Sequence, residues 1–128
     1  MKFTSSILIG LLPITLAACT TDSTSKPQTS LQHKMAQLDK QTKNLIGSAS
    51  CTSDSQCHSL GFGDKACGGF VSFRIYSDQN TDVAQLRKKV DQYNLLSEQW
   101  NNENNVVSNC DYLSPPKLSC KQQICQIK

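Results

Sequence analysis

The stretch GFVSFRIYSDQNTDVAQLRKKVDQYNLLSEQW (residues 69–100) decides the fold, because its apolar pattern changes period inside it. Val71, Phe73 and Ile75 alternate with Ser72, Arg74 and Tyr76, which places the two sets on opposite faces of a half-buried strand. From Val83 the pattern becomes helical: Val83, Leu86, Val90, Tyr93, Leu96 and Trp100 form one apolar stripe, with Arg87, Lys88, Lys89 and Asp91 largely opposite. Thr81 or Asp82 opens this helix, and Gln85 stands where a capping box from Asp82 needs it. The run NNENN after Trp100 propagates helix poorly, since Asn side chains compete for nearby backbone groups, and it ends the element.

On the C-terminal side, Pro115 and Pro116 enforce extended chain. The segment LSCKQQICQIK that follows reads as a hairpin turning around Lys121 to Ile124, with Cys120 opposite Cys125. On the N-terminal side, CTSDSQC from Cys51 predicts a short turn or helical segment with Thr52, Ser53 and Asp54 as caps. Leu60-Gly61-Phe62-Gly63 and Cys67-Gly68-Gly69 frame a loop whose glycines permit positive φ. Residues 48–128 are therefore read as one small α+β domain: a long amphipathic helix against a small antiparallel sheet. Before it, Leu31, Met35, Leu38 and Leu45 recur at helical spacing over residues 31–47, with Gly47 as the stop. This weakly amphipathic helix either packs on the domain or lengthens a tether. Its Lys34, Lys40 and Lys43 read as a solvated face. Residues 19–30 are Ser- and Thr-rich, with one Lys and one Pro and almost nothing to bury, the composition of a flexible tether.

The chain starts MKFTSSILIGLLPITLAAC: a basic residue, a short apolar run broken by Pro13, then small residues. That layout is a signal peptide over residues 1–18, since a membrane-spanning helix needs about 20 apolar residues. Leu16-Ala17-Ala18-Cys19 resembles the bacterial lipobox. The resemblance implies cleavage before Cys19, diacylglycerol on its sulfur and acylation of the new amine, which gives a membrane partner through acyl chains. Thr20 in place of the inner-membrane-retaining aspartate then implies the outer membrane of a Gram-negative envelope.

Of seven cysteines, assigning Cys19 to lipid leaves Cys51, Cys57, Cys67, Cys110, Cys120 and Cys125, an even set. Export and a small core low in aromatics predict three disulfides, in any of about fifteen pairings. The strand and main helix lie between Cys67 and Cys110, so at least one bridge should tie the N-terminal cysteines to the C-terminal ones. A zinc site or thioredoxin-like chemistry would call for Cys-x-x-Cys, which is absent from the sequence. A set of Cys51, Cys57, His58 and Cys67 reads better as framework plus a loop histidine. No cofactor, metal or catalytic residue is expected. Cys57 and His58 are chain neighbours, His33 lies apart, and caps and turns explain Asp54 and Asp64. Nor does a basic stripe interleaved with aromatics point to nucleic acid.

Together C-T-S-D-S-Q-C, G-D-K-A-C-G-G, I-Y-S, S-N-C and P-P-K-L-S-C-K-Q-Q-I-C resemble a group of small exported proteobacterial proteins with the pattern C-x-x-D-x-Q-C…A-C-G-G-P…Y-S…C…C…C. Phe70 stands where that pattern has proline. The likeness runs from Cys51 to Cys125 and implies a fold and an exported location, with no activity attached. The function expected is a lipid-anchored, non-enzymatic module of the cell envelope that binds a partner protein or serves structurally. The alternatives are an inhibitor of a foreign hydrolase and an enzyme acting on envelope material. The candidate contact loop is GFGDKACGGF, with Phe62, Lys65 and Phe70; its plainer reading is a tight turn with both phenylalanines in the core. A purely structural component would instead show an apolar patch on the first helix.

Overall fold

A computed structural model describes residues 27–128; the expected signal peptide, Cys19 and the expected tether as far as residue 26 lie outside the described residues. In chain order the elements are α1 (Pro27–Ile46), a short 3-10 turn (Asp54–Gln56), β1 (Cys57–Asp64), β2 (Phe70–Ser77), α2 (Val83–Glu103), β3 (Leu118–Lys121) and β4 (Ile124–Ile127). β1 and β2 form one antiparallel ribbon, β3 and β4 another. This is an α+β domain held by three disulfides.

α2 begins where the cap predicts, with Asp82 Oδ1 accepting from the Gln85 N–H at 2.9 Å. Its stripe buries Leu86 and Val90 completely or nearly so, against Phe62 and Tyr76 of the β1–β2 ribbon. α1 begins at Pro27, a turn earlier than its apolar spacing suggests, because proline suits the first helical position. It packs on the domain, antiparallel to α2: Gln32 and Met35 lie beside Trp100, and Leu45 beside Gln85. Leu31 and Thr42 of α1 are buried.

Two expectations for the β1–β2 ribbon need correction. Leu60 to Gly63 are strand, not loop, paired with β2 in register from Cys57↔Ser77 to Asp64↔Phe70. Gly61 is required there because the Phe70 ring lies across it; an added Cβ would fall 2.1 Å from that ring. The faces of β2 are also not simply apolar and polar. Tyr76 and Arg74 face the helices, while Ile75 packs on a second cluster of Ala49, Cys51, Cys57 and Cys125, and Val71 is exposed. Arg74 is tolerated inward because its guanidinium lies 3.9 Å over the Phe62 ring and pairs with the Asp39 carboxylate of α1. Phe62 in turn stacks on Tyr93 of α2, with ring centroids 3.9 Å apart.

The β3–β4 hairpin matches its sequence reading, with Cys120 opposite Cys125. Gln122 and Gln123 both adopt positive φ, at 52° and 62°, as a two-residue hairpin turn demands. Residues 49–51 run alongside β4, through Cys125 N–H to the Ala49 carbonyl at 3.0 Å and Cys51 N–H to the Gln123 carbonyl at 2.9 Å. All three bridges join an N-terminal cysteine to a C-terminal one: Cys51–Cys120, Cys57–Cys125 and Cys67–Cys110.

Leu86→Ala should destabilise the domain by about 2–5 kcal/mol in denaturant titration, while truncating Leu95, 65% exposed, should change it by less than about 0.5 kcal/mol. Replacing Gln122-Gln123 by Asn-Gly relieves the left-handed backbone of two ordinary residues and should stabilise by about 1 kcal/mol.

Candidate interaction surface

β1 is sealed along its outer edge by a polar row on α2. Asn94, Ser97 and Asn101 are spaced by a helical turn each. Asn94 Oδ1 accepts from the Gly63 N–H at 2.8 Å, and its Nδ2 donates to the Gly61 carbonyl at 3.1 Å. Ser97 Oγ accepts from the Asp64 N–H at 3.0 Å, and Asn101 Nδ2 donates to the Asp64 carbonyl at 2.7 Å. These contacts fix the hairpin tip at residues 65–69 relative to the end of α2. Poor helix formers recurring at helical spacing are the sequence signal for such a row.

From α2 the chain crosses back over that tip. Residues 106–117 contain no helix, strand, turn or bend, and none of them has a positive φ, so the chain runs through them without a regular element or a sharp reversal. The tip holds this segment at successive residues. Cys67 N–H donates to Ser108 Oγ at 3.1 Å, Lys65 Nζ donates to Asn109 Oδ1 at 3.1 Å and to the Asp111 carbonyl at 2.7 Å, and Cys67 is bonded to Cys110. Within the segment, Asn109 Nδ2 donates to Asp111 Oδ2 at 2.9 Å. The Tyr112 ring edge comes near Gly69, whose φ of 82° favours glycine; an added Cβ there would fall 3.7 Å from the ring.

Of the expected contact residues, Phe62 is in the core, Lys65 is a strut at the base of the segment, and Phe70 is partly exposed beside Phe73. Among the described residues the two most exposed large hydrophobics lie in this segment, Val107 at 93% and Tyr112 at 75%, with Val71, Val106 and Leu113 also accessible at this end; Leu95 and Ile127 are exposed on α2 and β4. Sequence reading missed residues 106–113 because a segment without periodicity carries no signal of which side chains face outward. By contrast, the apolar residues of α1 turn toward α2: Leu31 is buried, and Leu38 lines an open groove of about 410 Å³ with Leu95 and Leu96.

His58 Nε2 lies 3.0 Å from Asp78 Oδ2 on the surface, and neighbouring Cys57 is bonded to Cys125, so no thiol–histidine pair forms there. The sulfurs of Cys51, Cys57 and Cys125 lie within 4.8 Å of one another, yet as cystines they offer no thiolate to a metal. Among the described residues no helix is long and apolar enough to cross a membrane. The chain matches no protein family, no curated protein and no solved structure.

Among the described residues two titratable groups are displaced, Tyr93 and Asp54. Burial pushes the Tyr93 phenol up, with the Asp39 charge adding to it. Asp54 is held below its ordinary 3.8, first by the Cys120 N–H it accepts at 2.8 Å and then by Lys128. A lowered carboxylate stabilises the fold above its unfolded pKa and loses that contribution as pH falls through the lower folded value. Asp54→Asn should therefore lower the melting temperature at neutral pH, and the gap to wild type should close as a melting series is carried below 3.8. A gap of constant size across that series would mean the charge plays no part.

Proposed function

We propose that this protein is a lipid-anchored, non-enzymatic binding module of the cell envelope, and that the tip crossed by residues 106–117 is its binding face. The observation that carries this reading is the pairing of exposed apolar side chains with a fixed frame. Tyr112 and Val107 project from a segment pinned by a disulfide and by Lys65. Ordering a flexible loop at an interface costs about 0.5–1.5 kcal/mol per immobilised side chain, and a frame already set avoids part of that cost. Val106 and Val107, and Tyr112 and Leu113, are accessible apolar pairs adjacent in the chain, and exposed apolar groups that are not scattered singly commonly mark a protein contact. The turning of the α1 apolar residues onto α2 favours this end over the first helix as the contact surface.

The anchor rests on Leu16-Ala17-Ala18-Cys19, and the oxidised state of the other six cysteines supports an exported address. Between Cys19 and Pro27 there are few residues, and at ~3.3–3.6 Å each they reach no more than about 30 Å. A lipid on Cys19 would thus hold the domain close to the bilayer and raise its effective concentration for a partner there.

Cys19→Ala should abolish incorporation of labelled fatty acid and leave the precursor uncut; continued labelling would remove the anchor. A photocrosslinking residue at Val107 in intact cells should capture a discrete protein, whereas the same probe at exposed Lys88 on α2 should not. Equal capture at both positions, or capture of lipid alone, would remove the tip as a binding face.

A further inference from the structure

The tip has a more specific form than an apolar patch, and on the reading that it is the binding face, its shape restricts the partner. We propose that residues 106–117 act as a substrate-like segment for an endoprotease with an aromatic-accepting primary pocket, presenting the Tyr112 side chain to that pocket and holding the Tyr112–Leu113 bond in the cleft.

Proteases bind their substrates as extended chain, and this segment runs free of helix, turn and bend. It is also fixed on both sides of a short free window. On the N-terminal side, Cys110 is bonded to Cys67 and the Asp111 carbonyl is occupied by Lys65. On the C-terminal side, Pro115 and Pro116 have restricted φ and no N–H to donate. Tyr112, Leu113 and Ser114 remain between them. Strand addition to the edge of a partner's sheet draws on main-chain pairing over about 5–6 residues, more than this window supplies. A protease cleft, by contrast, engages a few residues around one bond and takes most of its selectivity from one side chain in a pocket.

Tyr112 suits that role. One edge of its ring comes near Gly69, and the side chain is 75% exposed. Aromatic groups are the commonest energetic anchors at protein interfaces, because a large area is buried at low entropic cost. No lysine or arginine stands between Cys110 and Pro116, which disfavours a pocket built for basic side chains.

The frame also explains why the segment would inhibit rather than be consumed. Cleavage adds one water across the Tyr112–Leu113 peptide bond, leaving a carboxylate on Tyr112 and an amine on Leu113. The first new end stays tied through Cys110–Cys67; the second runs into β3, which is paired with β4 and bonded through Cys120 to Cys51. Neither end can diffuse away, so the amine stays beside the acyl group and attacks it again, re-forming the bond and expelling the protease nucleophile or water.

The test uses the full chain purified in detergent, titrated against chymotrypsin and subtilisin, with trypsin as the control, on small chromogenic substrates. Saturating one-to-one inhibition of at least one of the first two, and none of trypsin, is expected. Tyr112→Ala should weaken it about 100-fold, the loss expected when a central interface anchor is truncated. Because Tyr112 is exposed, this variant should melt with the wild type. Tyr112→Lys should transfer inhibition to trypsin. No inhibition of either aromatic-accepting protease, rapid complete cutting at Tyr112–Leu113, or a Tyr112→Lys variant inert toward trypsin would each overturn the proposal. Capture at Val107 of a partner that is not a protease, together with absent inhibition, would sink this inference and leave the binding face standing; absence of both would sink the two together.

Discussion

Each of the three disulfides links a cysteine before α2 to one after it, and the packing of the domain depends on that arrangement. Among the described residues the buried apolar set is small and, Leu31 apart, split into two clusters, one of which consists largely of cystine sulfur with Ala49. A two-stranded hairpin such as β3–β4 is marginal by itself in water. Here it is joined to the rest by Cys51–Cys120 and Cys57–Cys125, backed by main-chain pairing with residues 49–51 and by Asp54 on the Cys120 N–H. Closing loops of 69, 68 and 43 residues restricts the unfolded chain strongly. Bridges of this kind contribute about 2–4 kcal/mol each, against a total stability of about 5–15 kcal/mol for a typical domain.

Sulfur alone does not position α1. That helix is held by burial of Leu31 and Thr42 and by a chain of contacts running through the ribbon. Asp39 pairs with Arg74, Arg74 covers Phe62, and Phe62 stacks on Tyr93 of α2. One side chain from each of α1, β1, β2 and α2 takes part. A charge turned toward a core is normally costly, but here the guanidinium has both a carboxylate and a ring face as partners. The helix nearest the proposed anchor is thereby part of the domain rather than a continuation of the tether.

Much of the fold was legible because the relevant signals are local. The period shift near Asp78, the Asp82 cap, the hairpin that sets Cys120 opposite Cys125, and the even cysteine set all follow from neighbouring residues. The misreadings share a different cause. Glycines at 61 and 63 suggested a loop, although Gly61 is there because a ring from the next strand covers it. Arg74 suggested an outward face, although its partners come from α1 and β1. Neither fact can be inferred without knowing what crosses the ribbon. The tip was only half visible: Cys67, Lys65 and Phe70 drew attention to it, but Tyr112 and Val107 lie in an aperiodic segment brought there by a disulfide whose pairing the sequence leaves open.

The bridge at that tip also links fold to proposed function, since Cys67–Cys110 decides where residues 106–117 lie. The framework is therefore tested most directly by proteolysing the purified protein under non-reducing, acidic conditions and identifying the cross-linked peptides by mass. Peptides joined as Cys51–Cys120, Cys57–Cys125 and Cys67–Cys110, with none of these six thiols alkylated before reduction, are the result expected. Free thiols among them, or a different set of partners, would mean that the domain is not built in this way.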